Sequence, residues 1–110
     1  MRINGATKMI YKPDNWVIMK FPQGYKLLAG WSGGYLGGYG WRLNSGVTGC
    51  HMEVDGDYYF FTSHSGSTYR CHKDSYGLRM STAHPYSLVE HQAEMMPEDT
   101  NWLEMDWEIK

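Results

Sequence analysis

Between Asn15 and Lys73 the chain is cut into short β-branched and aromatic runs by turn residues, and this punctuation favours a sheet over any helical fold. Asn15–Phe21, bounded by Pro13 and Pro22, predicts a first strand, and Tyr25–Trp31 a second. The short Pro22-Gln23-Gly24 connection predicts that the two form a hairpin. Trp41-Arg-Leu-Asn-Ser-Gly46 reads as a short strand running into a turn. Further turns are expected at Val54-Asp-Gly-Asp57 and His64-Ser-Gly-Ser67. With two-residue loops at both, Cys50 falls opposite Phe61, Met52 opposite Tyr59, Phe61 opposite Arg70 and Tyr59 opposite His72. One face then carries Arg70 and His72 with Cys50, Met52, Tyr59 and Phe61. The other carries His51, Glu53, Tyr58, Phe60, Tyr69, Cys71 and Lys73. Cys50 and Cys71 point apart on this register, and a one-residue slip at the second turn would bring them to one side. Ser87-Leu-Val-Glu90 resembles a capping box and Pro97 a stop, which predicts a helix over about 86–96. The fold expected is an antiparallel meander of five or six strands with one short C-terminal helix, in the α+β or mainly-β class.

A chain of 110 residues accommodates one core, so residues 1–110 are read as a single domain, with 1–8 a loose leader before a second methionine, Met9. Apolar residues at 42% against 20% charged ones place it among folded proteins. No apolar run approaches the roughly 18 residues of a membrane span, and the first residues lack the apolar centre of a signal peptide. Two cysteines in such a chain are expected to be reduced thiols of an intracellular protein. Residues 1–80 hold nine Lys/Arg and five Asp/Glu, whereas residues 81–110 hold one and seven. That balance makes nucleic acid an unlikely partner for the body and leaves an acidic tail, 98–110. Trp102 and Trp107 are costly to leave in water, so the tail should pack on the body or on a neighbouring subunit. Aromatics on both sheet faces, together with free edges, predict a homo-oligomer.

Residues 30–40 contain six glycines, with Gly-Gly-Tyr twice. A regular helix is excluded there. The stretch is either a loop whose tyrosines pack on the body or a cradle. Its glycines let backbone N–H groups approach an anion, and Trp31, Tyr35, Tyr39 and Trp41 offer flat faces to a base. No phosphate-binding fingerprint of the ordinary nucleotide folds occurs. Arg42, Arg70 and His72 could fork onto or donate to phosphates, although each arginine can equally cover aromatic surface. Cys50-His51 and Cys71-His72 lack the spacing of zinc ligands, since neighbours on a strand face opposite ways. No metal and no cofactor are expected. A Cys50–His72 nucleophile pair would lack a third orienting group, and Glu53, Asp55 and Asp57 cluster at a solvated hairpin tip, so no catalytic residue is assigned.

Asp14-Asn-Trp-Val17, Ala29-Gly-Trp-Ser-Gly-Gly-Tyr35, Trp41-Arg-Leu-Asn-Ser-Gly46, Asp55-Gly-Asp-Tyr58 and the run from Ser65 to Arg79 together resemble a family of small tailed-phage proteins, over about residues 9–80. The resemblance carries over no activity and implies a setting, the cytoplasm of an infected bacterial host; small phage proteins of this size commonly resemble counter-defence factors, which work by binding. With the aromatic and arginine set, it leads to the expectation of a non-enzymatic sponge for a nucleotide-derived immune signal. Its ligand site would comprise Trp31, Tyr35, Tyr39, Trp41, Arg42, Arg70 and His72. The alternative is an inhibitor of a host nuclease or CRISPR complex, a host defence protein engaged through the acidic C-terminal segment. A phosphodiesterase using His72 is the minor third reading.

Overall fold

The computed structural model describes residues 9–31 and 40–107. Eight strands occur in chain order: β1 (Ile10–Tyr11), β2 (Asn15–Phe21), β3 (Gly24–Trp31), β4 (Gly40–Leu43), β5 (Val47–Met52), β6 (Tyr58–Ser63), β7 (Thr68–His72) and β8 (Glu94–Met95). Among the described residues one α-helix, α1 (Met80–Val89), lies between β7 and β8. The leader, residues 1–8, falls outside the described residues. The protein is mainly β, but the single meander gives way to two four-stranded sheets, ordered β1-β7-β6-β5 and β4-β3-β2-β8. The first is mixed, because β1 runs parallel to β7.

The meander breaks at Asn44. Its backbone N–H still donates to Leu27 O (3.0 Å), continuing β4 along β3, while its side-chain Oδ1 accepts from Leu27 N–H (2.9 Å) and Gly46 N–H (3.2 Å). Gly46, at φ +136°, then turns the chain out of one sheet and into the other. Trp16, Ile18, Leu27 and Ala29 from one sheet meet Phe61, Tyr69 and Cys71 from the other, with Trp102 and Trp107 completing the same cluster. On the opposite side of β2 and β3, Val17, Met19, Phe21 and Leu28 pack under Tyr86 and Val89 of α1. Covered on both faces, β2 can be the near-continuous apolar run that its sequence spells.

The β2–β3 hairpin closes as expected, with Phe21 opposite Gly24 across Pro22-Gln23. At the next turn the loop holds four residues rather than two. Glu53 N–H donates to Tyr58 O (2.8 Å), and Cys50 still faces Phe61. The turn after it is where the register moves. Ser63 N–H donates to Ser67 O (3.0 Å) around a three-residue loop, His64-Ser65-Gly66, with Gly66 at φ +92°. The odd loop length slides the pairing by one residue, so Phe61 faces Tyr69 and Tyr59 faces Cys71. The slip corrects the expected faces. Tyr69 and Cys71 turn inward on the same side as Cys50, and Arg70 and His72 turn outward with Tyr58 and Phe60. Both thiols are free.

The helix is displaced too. It begins at Met80 and ends at Val89, not at 96. Its start is fastened to β2: Asn15 Nδ2 donates to Thr82 Oγ1 (2.8 Å), and Ser81 Oγ donates to Asn15 Oδ1 (3.1 Å). Thr82 Oγ1 also accepts from Arg79 N–H (2.9 Å), and this hydroxyl takes the capping part that Ser87 and Glu90 had suggested. A side chain at Gly30 would collide with Ser81 and would sit 2.6 Å from Thr82 Cγ2, so the helix approaches β3 only because that residue is glycine. Beyond α1 the chain returns as β8, with Met95 opposite Met19 on the edge of β2.

Candidate functional site

Of the seven residues singled out above, the five that the structure describes do not converge. Trp31 and Arg42 share one side of their sheet, in register with Gly40 and Ala29. Trp41, opposite Gly30, is on the other side and is 48% exposed. Tyr35 and Tyr39 lie outside the described residues. Arg70 and His72 stand on the outer face of the other sheet, so Tyr69 and Arg70, consecutive on β7, separate the two arginines onto opposite faces.

Arg70 is already engaged. Its Nη2 donates to Glu53 Oε1 and Oε2 (both 3.1 Å), and the guanidinium lies 3.6 Å over the Tyr58 ring. His72 meets Tyr58 edge-on at 4.9 Å, and its Nδ1 accepts from Asp74 N–H (3.1 Å). Its carbonyl accepts from Trp16 Nε1–H (2.8 Å). These contacts occupy the Nε–Nη2 edge of Arg70 and set its face on Tyr58.

Arg42 is placed differently. Its guanidinium carbon is 4.7 Å from the Tyr11 ring centre, and its Nε–H donates to the Tyr69 hydroxyl (3.1 Å). Tyr11 stacks on Tyr69 at 4.9 Å and meets Trp31 edge-on at 6.2 Å, while Trp31 Nε1–H donates to Lys12 O (3.0 Å). Burial holds the Tyr69 phenol above its ordinary range, and Arg42 pulls it only partly back. An exposed guanidinium is thus fixed in orientation by two aromatic residues, Tyr11 and Tyr69, at the end of β3 that Trp31 closes.

At the other end of β3 a cleft of about 410 Å³ opens between the β2–β3 turn and the chain crossing from Ser45 to Thr48. Tyr25, Trp107, Gln23, Ser45 and His64 line it, together with Lys26. None of the five described residues of that set lines it. Asn44-Ser45-Gly46 reads as a turn in the sequence and His64 as part of another. What joins them is the crossing between sheets, which no local pattern announces.

Thiol chemistry is opposed by burial, which pushes Cys50 up to about 12 and Cys71 well above its ordinary value. Cys50 faces the core and His72 faces outward, so the nucleophile pair does not form. Among the described residues no group of three His, Cys, Asp or Glu side chains could hold a metal ion, and no helix is long and apolar enough to cross a membrane. Comparisons with protein-family models, with curated proteins and with solved structures find no match to this chain.

Proposed function

We propose that this protein binds a small nucleotide-type ligand at the Arg42 corner and holds it unchanged, serving a phage as a sponge for a nucleotide-derived immune signal in an infected bacterial cell. One observation carries the reading: Arg42 is pinned on Tyr11 and Tyr69 beside Trp31. A guanidinium fork suits a phosphate, and a flat ring suits a base. Fixing both before the ligand arrives lowers the ordering cost of binding. The phage setting rests on the motif resemblance, and a homo-oligomer belongs to the same reading. A monomeric mass by light scattering would remove the oligomer.

The test is calorimetric titration with cyclic di- and trinucleotides and ADP-ribose derivatives, followed by recovery of the nucleotide from the denatured complex. Unchanged nucleotide is expected, whereas a hydrolysed product would make the protein an enzyme. Losing one charge-assisted hydrogen bond costs about 1.5–3 kcal/mol, so Arg42→Ala should weaken binding by roughly ten- to a hundred-fold. Equal affinity for Arg42→Ala and wild type, at equal melting temperature, would overturn the site.

The inhibitor reading is favoured by one feature, the exposed acidic residues Glu90, Glu94, Glu98, Asp99 and Glu104. Its tryptophan anchors are lost, because Trp102 and Trp107 are buried in the core. Deleting residues 98–110 would remove core and acid together. The discriminating variant is the charge reversal Glu94→Lys/Glu98→Lys/Asp99→Lys, which should leave nucleotide binding intact and abolish inhibition of a nuclease if the acidic surface is what acts.

A further inference from the structure

From the cleft between Gln23–Lys26 and Ser45–Thr48 we infer a second binding site, one for an uncharged polyhydroxylated ring, a saccharide unit. Its volume of about 410 Å³ lies at the small end of the range for ligand pockets, enough for one or two rings. Its chemistry is nearly neutral. Among the described residues no carboxylate lines it, and the Lys26 ammonium is drawn 5.3 Å over the Phe21 ring, outside the sandwich. A phosphate or carboxylate entering here would lose its water with no fixed cation among the described residues to replace it, a cost that an uncharged ligand does not meet.

The polar residues of the lining are Gln23, Ser45 and His64, with Thr48, whose hydroxyl is shared with Thr62 Oγ1 at 3.0 Å. Amide and hydroxyl groups each both donate and accept, as sugar hydroxyls do, and an imidazole N–H adds a donor. Tyr25 and Trp107 supply the remaining wall, set edge to face at 5.4 Å. The C–H face of a pyranose is apolar and electropositive, and it packs on the negative face of an aromatic ring for the same electrostatic reason that rings meet edge to face.

The walls are built in advance of any ligand. His64 N–H donates to Gly46 O (3.0 Å), Ser65 N–H donates to Ser45 Oγ (3.2 Å), and the Asn44 amide oxygen holds Leu27 and Gly46. The His64 ring occupies the space that a side chain at Gly46 would need, its Cδ2 being 2.6 Å from that position. Asn44, on the residue next to this wall, keeps a buried Nδ2 with no partner among the described residues. Two loops from different sheets are thereby locked face to face, and their ordering cost is met during folding rather than on binding.

The experiment is saturation-transfer NMR on the full chain with maltose, lactose and diacetylchitobiose, repeated on Gln23→Trp, which places a bulky ring at an exposed turn beside the mouth. Transfer to the ring C–H protons of at least one sugar is expected. It should weaken by about tenfold or more in Gln23→Trp and persist in Arg42→Ala. Silence from all three sugars overturns the inference, and so does unchanged transfer in a Gln23→Trp protein that melts like wild type. Loss in Arg42→Ala alone would assign the sugars to the other site and also overturn it. Failure here leaves the nucleotide reading standing, because that reading is measured with a different ligand and a different variant.

Discussion

At the scale of single residues, Arg42 on β4 and Arg70 on β7, in different sheets, illustrate how partner geometry decides a role. Arg42 has aromatic partners beneath it, whereas Arg70 has a carboxylate across from it. Both members of the Arg70–Glu53 pair keep about a quarter of their side-chain surface in solvent (28% and 26%), so water screens the attraction. Arg70→Ala should therefore cost on the order of 1 kcal/mol, shared between the ion pair and the contact with Tyr58. Urea denaturation would show that loss, and calorimetry with the nucleotide panel should show none. A large drop in nucleotide affinity for Arg70→Ala would mean that the outer face of the sheet, not the Arg42 corner, holds the ligand.

At the scale of elements, helix α1 and strand β2 are joined by the buried triad Asn15, Ser81 and Thr82. Asn15→Ala leaves the buried Ser81 hydroxyl without its acceptor and removes one bond to Thr82 Oγ1, which keeps Arg79 N–H. A buried polar group left unsatisfied costs about 1–3 kcal/mol, so the urea midpoint should fall further than for any exposed substitution in α1, such as His84→Ala. An equal, small effect for both would show that the helix is held by Tyr86 and Val89 alone. The same triad explains why the helix was misplaced on sequence. Ser87 and Glu90 carry a local capping pattern, but Asn15 lies 66 residues from Ser81 in the chain, and a fastening of that range leaves no local trace. The β2–β3 hairpin, by contrast, was legible because Pro22 and Gly24 determine it within a few residues. One loop residue at His64-Ser65-Gly66 then decided the candidate site: it moved Arg70 and His72 outward and left Trp31 with Arg42 as the part of the set that geometry unites.

For the molecule as a whole, burial shifts several acids in one direction. Cys50 and Tyr76 are each pushed up to about 12, and Cys71 also lies above its ordinary value. Tyr76 is further committed through its hydroxyl, which donates to Met96 O (2.5 Å) and accepts from Ile18 N–H (3.2 Å). Each group binds its proton more tightly folded than unfolded, so the unfolded chain gives protons up first as pH rises. Stability is full below the ordinary values, near about pH 9, and declines as pH climbs toward about 12. Urea midpoints should match at about pH 7 and 8 and fall progressively at about pH 10 and 11, with Cys50→Ala flattening part of the slope. A midpoint constant to about pH 11 would show that these groups ionise in place.

The first sheet begins with Tyr11 laid on Tyr69, and the core it helps enclose is closed by Trp107. Interior contacts therefore join the earliest and the latest parts of the described chain. A ribosome delivers the polypeptide from one end, so the nascent chain presents Trp16, Ile18 and Leu27 to the cell before the tryptophans that cover them exist. During synthesis the protein depends on speed of completion, or on a chaperone, to keep that apolar surface from other chains.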